Sequence, residues 1–331
     1  GNKTMSQVAY KGAYLGYYNG NNDTDLIYNI NAVAGKLGSG VTKLNNLYNE
    51  LISLVEDINI SSSSINNLIS EANFKIEDNI FTQNSLENTI TKLISMPEFE
   101  KVNDDSELLE IIDGKKTLQV ESNKFYIINI INKEITLTCE EETLQNTSII
   151  FTQTHTTTIS SNIFNELENV TLVNLNISVD GEISSATLAN KITNCIIQNI
   201  TLQDVYAQRT KSQYNSLVVD VAENSILDNI NVKNGRLEVI VTELPTVSEG
   251  LSNSSIYSGA IVGQANCTQI KNSTNSATIT VSSQVDEFIA LYTGGISGQI
   301  YENSNVFKST NNGLVYAKHT TNTTGNLNTS G

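Results

Sequence analysis

A nine-residue phrase recurs in this chain and limits what it can fold into more than any other feature of the sequence. Residues 169–177 read NVTLVNLNI, 194–202 read NCIIQNITL and 224–232 read NSILDNINV. Looser copies start at Cys267 and Asn303, so successive copies begin 25, 30, 43 and 36 residues apart. The fourth position is aliphatic in every copy: Leu172, Ile197, Leu227, Ile270 and Val306. The sixth is Asn174, Asn199, Asn229 and Asn272, failing only at Lys308. Side chains alternate faces along a strand, so the aliphatic seventh and ninth positions of the first three copies point the same way. Asn tolerates the left-handed backbone that a sharp corner needs, and its amide can bond a neighbour. The pattern therefore predicts strand, corner, strand, repeated at the spacing of one solenoid coil.

Coils stacked about 4.8 Å apart would set aliphatic columns inside and an amide ladder of Asn174, Asn199 and Asn229 at the corner. The expected fold is mainly β: a right-handed parallel β-helix over 124–320. A leucine-rich repeat is the rival, but its Leu-x-x-Leu-x-Leu spacing and accompanying helix are missing. Ahead of the solenoid, Val41, Leu44, Tyr48, Leu51, Val55 and Ile58 step by three and four, the seam of an amphipathic helix or coiled coil. Ile65, Leu68, Ile69 and Ala72 resume that period, as do Leu86, Ile90, Leu93 and Ile94. The expected organisation is thus a Gly/Tyr/Asn-rich segment (1–40), a short α-helical stalk or cap (41–123), the solenoid, and a polar tail (321–331). Residues 98–123 read as an acidic loop.

A second repeat occupies the last third. Tyr257-Ser-Gly-Ala-Ile-Val-Gly-Gln264 returns 35 residues later as Tyr292-Thr-Gly-Gly-Ile-Ser-Gly-Gln299. Paired glycines suit a strand whose backbone packs tightly on the next coil. With Ser258-Gly-Ala-Ile261 and Gly294-Gly-Ile-Ser297, the stretch of about 240–320 resembles the glycine-rich repeats of GLUG-type surface proteins and of polymorphic outer-membrane adhesins. The companion Phe-x-x-Asn element of the adhesins is absent, since Phe307 is followed by Lys-Ser-Thr310. The resemblance implies a cell-surface β-solenoid and names no ligand.

Composition narrows the function classes. Nineteen basic against 35 acidic residues give a net charge of −16, and only two of the basic residues are Arg, so nucleic acid and anionic lipid are disfavoured partners. No stretch approaches about 20 apolar residues, so no membrane span is expected. The three cysteines, Cys139, Cys195 and Cys267, cannot all pair internally. Cys195 and Cys267 are expected as small core residues. Extracellular or cell-surface placement rests on the Asn-x-Ser/Thr sequons. Those at Asn146, Asn176, Asn253 and Asn322 are the candidate glycosylation sites, on outward strands or loops, whereas Asn169, Asn199 and Asn272 fall in corner columns.

Catalytic patterns are weak. Arg209-Thr-Lys211 matches one element of polygalacturonases, but no Gly-His-Gly or repeat-spaced Asp pair accompanies it. Asp204, Asp220 and Asp228 do not share a repeat position and are expected to be solvated surface residues. His155 and His319 stand alone among threonines, without zinc-ligand spacing. No catalytic residue, cofactor or metal ligand is assigned. The expectation is a non-enzymatic adhesin-like or filament-forming protein that self-associates, end to end or through its N-terminal helices, or meets cell-surface glycans. The alternative is a tailspike-like viral or phage receptor-binding protein with glycan-cleaving activity.

Overall fold

The computed structural model describes residues 99–245, 255–320 and 327–330. The described residues form strands, turns and bends and no helix. The expected helical stretches within 41–94, and the 1–40 segment, lie outside them. Among the described residues, every strand pairing but one is parallel. The protein is therefore mainly β, built on a curled, predominantly parallel sheet.

The central stack holds the nine-residue phrase. Tyr126 pairs with Ile149, and the same column continues through Leu172, Ile197, Leu227, Ile270 and Val306. From Tyr126 to Ile270 its side chains are almost fully buried, as the common fourth position requires. Each full aliphatic burial contributes about 1.5–3 kcal/mol, and like-on-like stacking lets every coreward residue touch its counterparts above and below. Before this stack the chain runs through Ala189–Thr193, Val219–Glu223, Val262–Asn266 and Ser297–Tyr301, which pair with one another in sequence order. After it come Tyr206–Arg209, Arg236–Val241, Thr278–Ser283 and Val315–His319. A further set, Tyr214–Asn215, Ser255–Ser258, Ala290–Gly294 and Leu327–Ser330, completes the circuit. The chain thus returns after each circuit to pair with its own previous pass.

The corners are left-handed. Asn174, Asn199, Asn229, Asn272 and Lys308 all have φ between 48° and 69°. The first residues of the phrase, Asn169, Asn194, Asn224, Cys267 and Asn303, are left-handed too, with φ of 45–57°. Each phrase is bracketed by two such residues. The residue after each corner often carries a small hydroxyl or thiol that bridges circuits. Cys195 N–H donates to Ser225 Oγ at 3.0 Å, Ser225 N–H to Thr268 Oγ1 at 3.3 Å and Thr268 N–H to Ser304 Oγ at 2.9 Å. At the second corner, Ile230 N–H donates to Ser273 Oγ and Ser273 N–H to Ser309 Oγ. The same hydroxyls donate back to a carbonyl of their own strand, as Ser225 does to Glu223 at 2.7 Å and Ser273 to Lys271 at 2.8 Å. Amides that a corner takes out of the ladder are satisfied in this way.

The ninth-position column changes character along the stack. Ile177, Leu202 and Val232 are followed in register by Asn275 and then Asn311. Asn275 is fully buried; its Nδ2 donates to Ala277 O at 3.1 Å and to Asn311 Oδ1 at 2.8 Å, and its Oδ1 accepts from Ala277 N–H.

Two expectations are corrected. Residues 98–123 are not a loop: Phe99–Val102 pairs in parallel with Phe125–Ile128, so the stack begins before 124. Leu109–Ile112 and Lys115–Gln119 form the one antiparallel hairpin among the described residues. Its two-residue turn is Asp113-Gly114, both at positive φ (51° and 77°), the Asp-Gly turn that suits strand twist. Within the expected polar tail, Leu327–Ser330 adds one more strand.

Leu227 sits between Ile197 and Ile270 with no exposed surface. Leu227→Ala is expected to cost about 2–5 kcal/mol, and Leu227→Asp to abolish the cooperative transition by burying an unpaired carboxylate. Urea titrations followed by circular dichroism check both.

Candidate functional site

The Asn corner column exists as a chain of side-chain bonds. Asn199 Nδ2 donates to Asn174 Oδ1 at 2.9 Å, and Asn229 Nδ2 donates to Asn199 Oδ1 at 2.8 Å. Asn174 closes the upper end by donating to Phe151 O at 2.8 Å. Asn272 leaves the column and donates instead to Asp228 Oδ1 at 2.8 Å. The column is not deeply buried: Asn174 and Asn199 are half-buried and Asn229 is exposed. Hydrogen bonding through both amide atoms, rather than burial, sequesters Asn199.

A second column runs through Asn169, expected at a corner, and extends to two residues that were not expected there. Asn146 Nδ2 donates to Asn123 Oδ1 at 3.1 Å, and Asn169 Nδ2 donates to Asn146 Oδ1 at 3.2 Å. Asn146, expected on an outward strand or loop, is therefore a corner residue with φ 52° and both amide atoms engaged. Asn176 is half-buried on Phe164–Val179. Asn253 and Asn322 lie outside the described residues.

The carboxylates overturn a second expectation. Asp204 is exposed, but Asp220 and Asp228 are buried. Asp220 takes a bidentate pair from Arg209, Nη1 to Oδ1 at 2.9 Å and Nη2 to Oδ2 at 2.6 Å, and a third bond from Ser216 N–H at 2.9 Å. Burial pushes the Asp220 carboxyl up from its ordinary range, while Arg209 and the Ser216 amide pull it down. Removing one partner of such a pair costs about 3–5 kcal/mol, because the other charge is left buried alone. Lys211, two residues after Arg209, is exposed and pairs with Glu243 at 2.8 Å. The Arg-Thr-Lys stretch therefore divides between a buried cluster and the surface. Asp228 accepts from Asn272 and from Gln198 Nε2 at 3.3 Å, with Lys271 Nζ 3.8 Å away. Among the described residues no three His, Cys, Asp or Glu side chains group to hold a metal ion.

His155 is a core residue placed where the pairing register shifts between Ile150 and His155. Its Nδ1 meets Gln153 O at 2.7 Å and its Nε2 accepts Ile130 N–H at 2.9 Å, which makes it the neutral tautomer protonated on Nδ1. Burial holds its pKa below the ordinary value. Cys195 is buried as expected, whereas Cys267 is a half-buried corner residue.

The most distinctive outward strip lies beside the glycine repeat. Tyr214, Tyr257 and Tyr292 stack with ring centroids 5.5 and 5.0 Å apart. Gln264 Nε2 donates to Gln299 Oε1 at 2.6 Å and to the Tyr214 hydroxyl at 3.2 Å. The glycines are required by close approach: a Cβ on Gly263 would stand 2.7 Å from Asp220 O, and one on Gly298 would stand 2.3 Å from Ser258 N. Tyr257, Tyr292 and the two glutamines were visible as ends of the 35-residue repeat. Tyr214 escaped because its own pass carries Ser216 and Asp220 where the later passes carry glycine. Elsewhere, a pocket of about 340 Å³ opens beside the hairpin, lined by Lys115, Lys116, Glu134, Thr136 and Thr156 among others. No helix among the described residues is long and apolar enough to cross a membrane. Comparison with protein-family models, with curated proteins and with solved structures finds no match to this chain.

At φ 55°, position 199 favours Gly over Ala once the amide is removed. Asn199→Ala is expected to cost about 1–3 kcal/mol, and Asn199→Gly less, in urea titrations. A neutral buried His155 stabilises the fold fully above its unfolded pKa of about 6.5 and less as pH falls toward its depressed folded value. The parent protein is expected to lose stability between about pH 7 and 5.5 more steeply than His155→Gln in paired denaturation series.

Proposed function

We propose that the circuits form a right-handed parallel β-helix and that the protein is a non-enzymatic extracellular or cell-surface scaffold, adhesin-like or filament-forming. The handedness follows the strong preference for right-handed crossovers between parallel strands. The observation that carries the reading is where polar chemistry is invested. Asn and Gln side chains bond their counterparts on adjacent circuits, Ser and Thr hydroxyls accept backbone amides of the adjacent circuit, Tyr rings stack on one another, and the buried carboxylates Asp220 and Asp228 are engaged by internal partners. A regular stack of this kind offers long strips for repeated contacts, and the tyrosine–glutamine strip is the surface best suited to a glycan or protein ligand.

Self-association has support at one end of the stack. Among the described residues, Asn305–Phe307 and Val315–His319 each pair on one side only. Ile300, Leu314 and Tyr316 are exposed near that edge, at 46%, 65% and 49%. An apolar open edge invites another chain, and a head-to-tail contact that does not close propagates as a filament. The sequons agree with an extracellular setting, and the charge of −16 argues against nucleic acid as partner.

Analytical ultracentrifugation over a wide concentration range tests the assembly. Concentration-dependent, elongated species that disappear in Ile300→Lys/Leu314→Lys are expected. A stable trimer at every concentration, with release of oligosaccharides from added polysaccharide, would favour the tailspike-like alternative.

A further inference from the structure

The cleft beside the hairpin is built by three successive passes of the chain. Thr117, on the second strand of the hairpin, pairs with Thr136, and Glu134 pairs with Thr156 on the pass below. Ile135 and Thr157 are buried toward the core, so by alternation Glu134, Thr136, Thr156 and Thr158 point out of the stack. Lys115 stands two residues before Thr117 as Glu134 stands two before Thr136, which brings an ammonium and a carboxylate to adjacent passes. Ile111, 67% exposed and opposite Lys116 in the hairpin, supplies an aliphatic wall. The frame is tied down from below. Asp104 accepts Lys116 Nζ on one oxygen and Ile131 N–H on the other, the latter at 2.9 Å, and Asn132 Oδ1 accepts Glu134 N–H at 3.2 Å. The enclosed volume of about 340 Å³ lies at the small end of ligand pockets, which run about 300–1,000 Å³.

We propose that this cleft binds an uncharged mono- or disaccharide. Its polar groups are idle: among the described residues, the side chains of Lys115, Glu134, Thr136, Thr156 and Thr158 have no hydrogen-bond or ion-pair partner. The Asn corner columns, by contrast, spend their amides on one another. The mixture of idle groups selects the ligand. Glu134 repels an anion and Lys115 repels a cation, whereas a neutral polyol donates to the first and accepts from the second. Threonine hydroxyls do both, and Ile111 covers the C–H face of a sugar ring. Parallel strands set these groups about 4.8 Å apart between passes and about 6.6 Å apart along a strand. Hydroxyls on a pyranose and its neighbour spread over such a grid, while a lone amino acid reaches only the Lys115 and Glu134 corner of it. The inference goes beyond the scaffold reading and does not rest on it. It adds a concave site at the first passes, away from the open edge at Asn305–Phe307 and from the flat tyrosine–glutamine strip.

The test is saturation-transfer difference NMR on the full chain with four probes: maltose, cellobiose, lactose and N,N′-diacetylchitobiose. At least one is expected to receive saturation and to bind with a Kd of about 1 mM, as a small, open site gives. Lys115→Met, Glu134→Gln and Thr156→Val/Thr158→Val are each expected to weaken that probe by about tenfold, because each removes hydrogen bonds to the sugar. These side chains are exposed or half-buried, so thermal unfolding followed by circular dichroism is expected to stay unchanged in all three. Tyr292→Leu, on the tyrosine strip, is expected to bind as the parent does. No transfer to any of the four probes would overturn the site, and so would binding that survives all three cleft variants. Tighter binding of galacturonate, glucosamine or glycine than of every neutral probe would overturn the assignment of the ligand. None of these outcomes alters what sedimentation reports on assembly, so failure here and failure of the scaffold reading are told apart.

Discussion

The left-handed corner is the constraint on which the rest of this structure depends. Turning a strand sharply twice within nine residues puts two backbone units per pass at positive φ and strips neighbouring amides of ladder partners. L-residues other than Asn rarely adopt that conformation without strain, so the sequence returns to Asn at both corners wherever it can. The following residue, a small hydroxyl or a thiol, then accepts an orphaned amide from the previous pass. Because both devices act between passes, each circuit is a template for the next. The aliphatic columns stay in register as a result.

Much of this was legible in the sequence because it repeats. The fourth-position column and the sixth-position Asn are visible as spacing alone, and pairing in the structure follows the alignment of the copies residue for residue. The serine and threonine bridges were not legible, since a chain rich in both offers no contrast at those positions. The buried Arg209–Asp220 pair was missed for another reason. Its members come from different stacks, Tyr206–Arg209 and Val219–Glu223, with Tyr214–Asn215 between them in the chain, and no periodic rule links their positions. The early strands were missed because 98–123 is acidic, and composition outweighed the Asp113-Gly114 turn that marks a hairpin.

The same distinction separates the candidate site residues. Asn174, Asn199 and Asn229 could be named from the pattern, since the corner geometry and the column are one fact. Asn146 could not, because the pass that holds it lacks the full phrase, and only the bonds to Asn123 and Asn169 reveal its place. Asp228 looked like a surface carboxylate by its charge. It lies on the outward side of a strand whose outward residues are themselves buried, which alternation alone does not disclose.

Like-on-like columns carry a hazard: if every layer offered the same hydrocarbon, a pass could dock against the wrong neighbour with little loss. The ninth-position column removes that freedom. Below Val232 the interior becomes Asn275 and then Asn311, whose amides bond each other and their own turns. A slip by one layer would set Asn311 against Val232, or Asn275 against Leu202, and break the bond between the two asparagines, at a cost of about 1 kcal/mol. Single polar residues in coiled-coil seams fix alignment by the same means. These two asparagines thus act as a serial number within an otherwise repetitive interior.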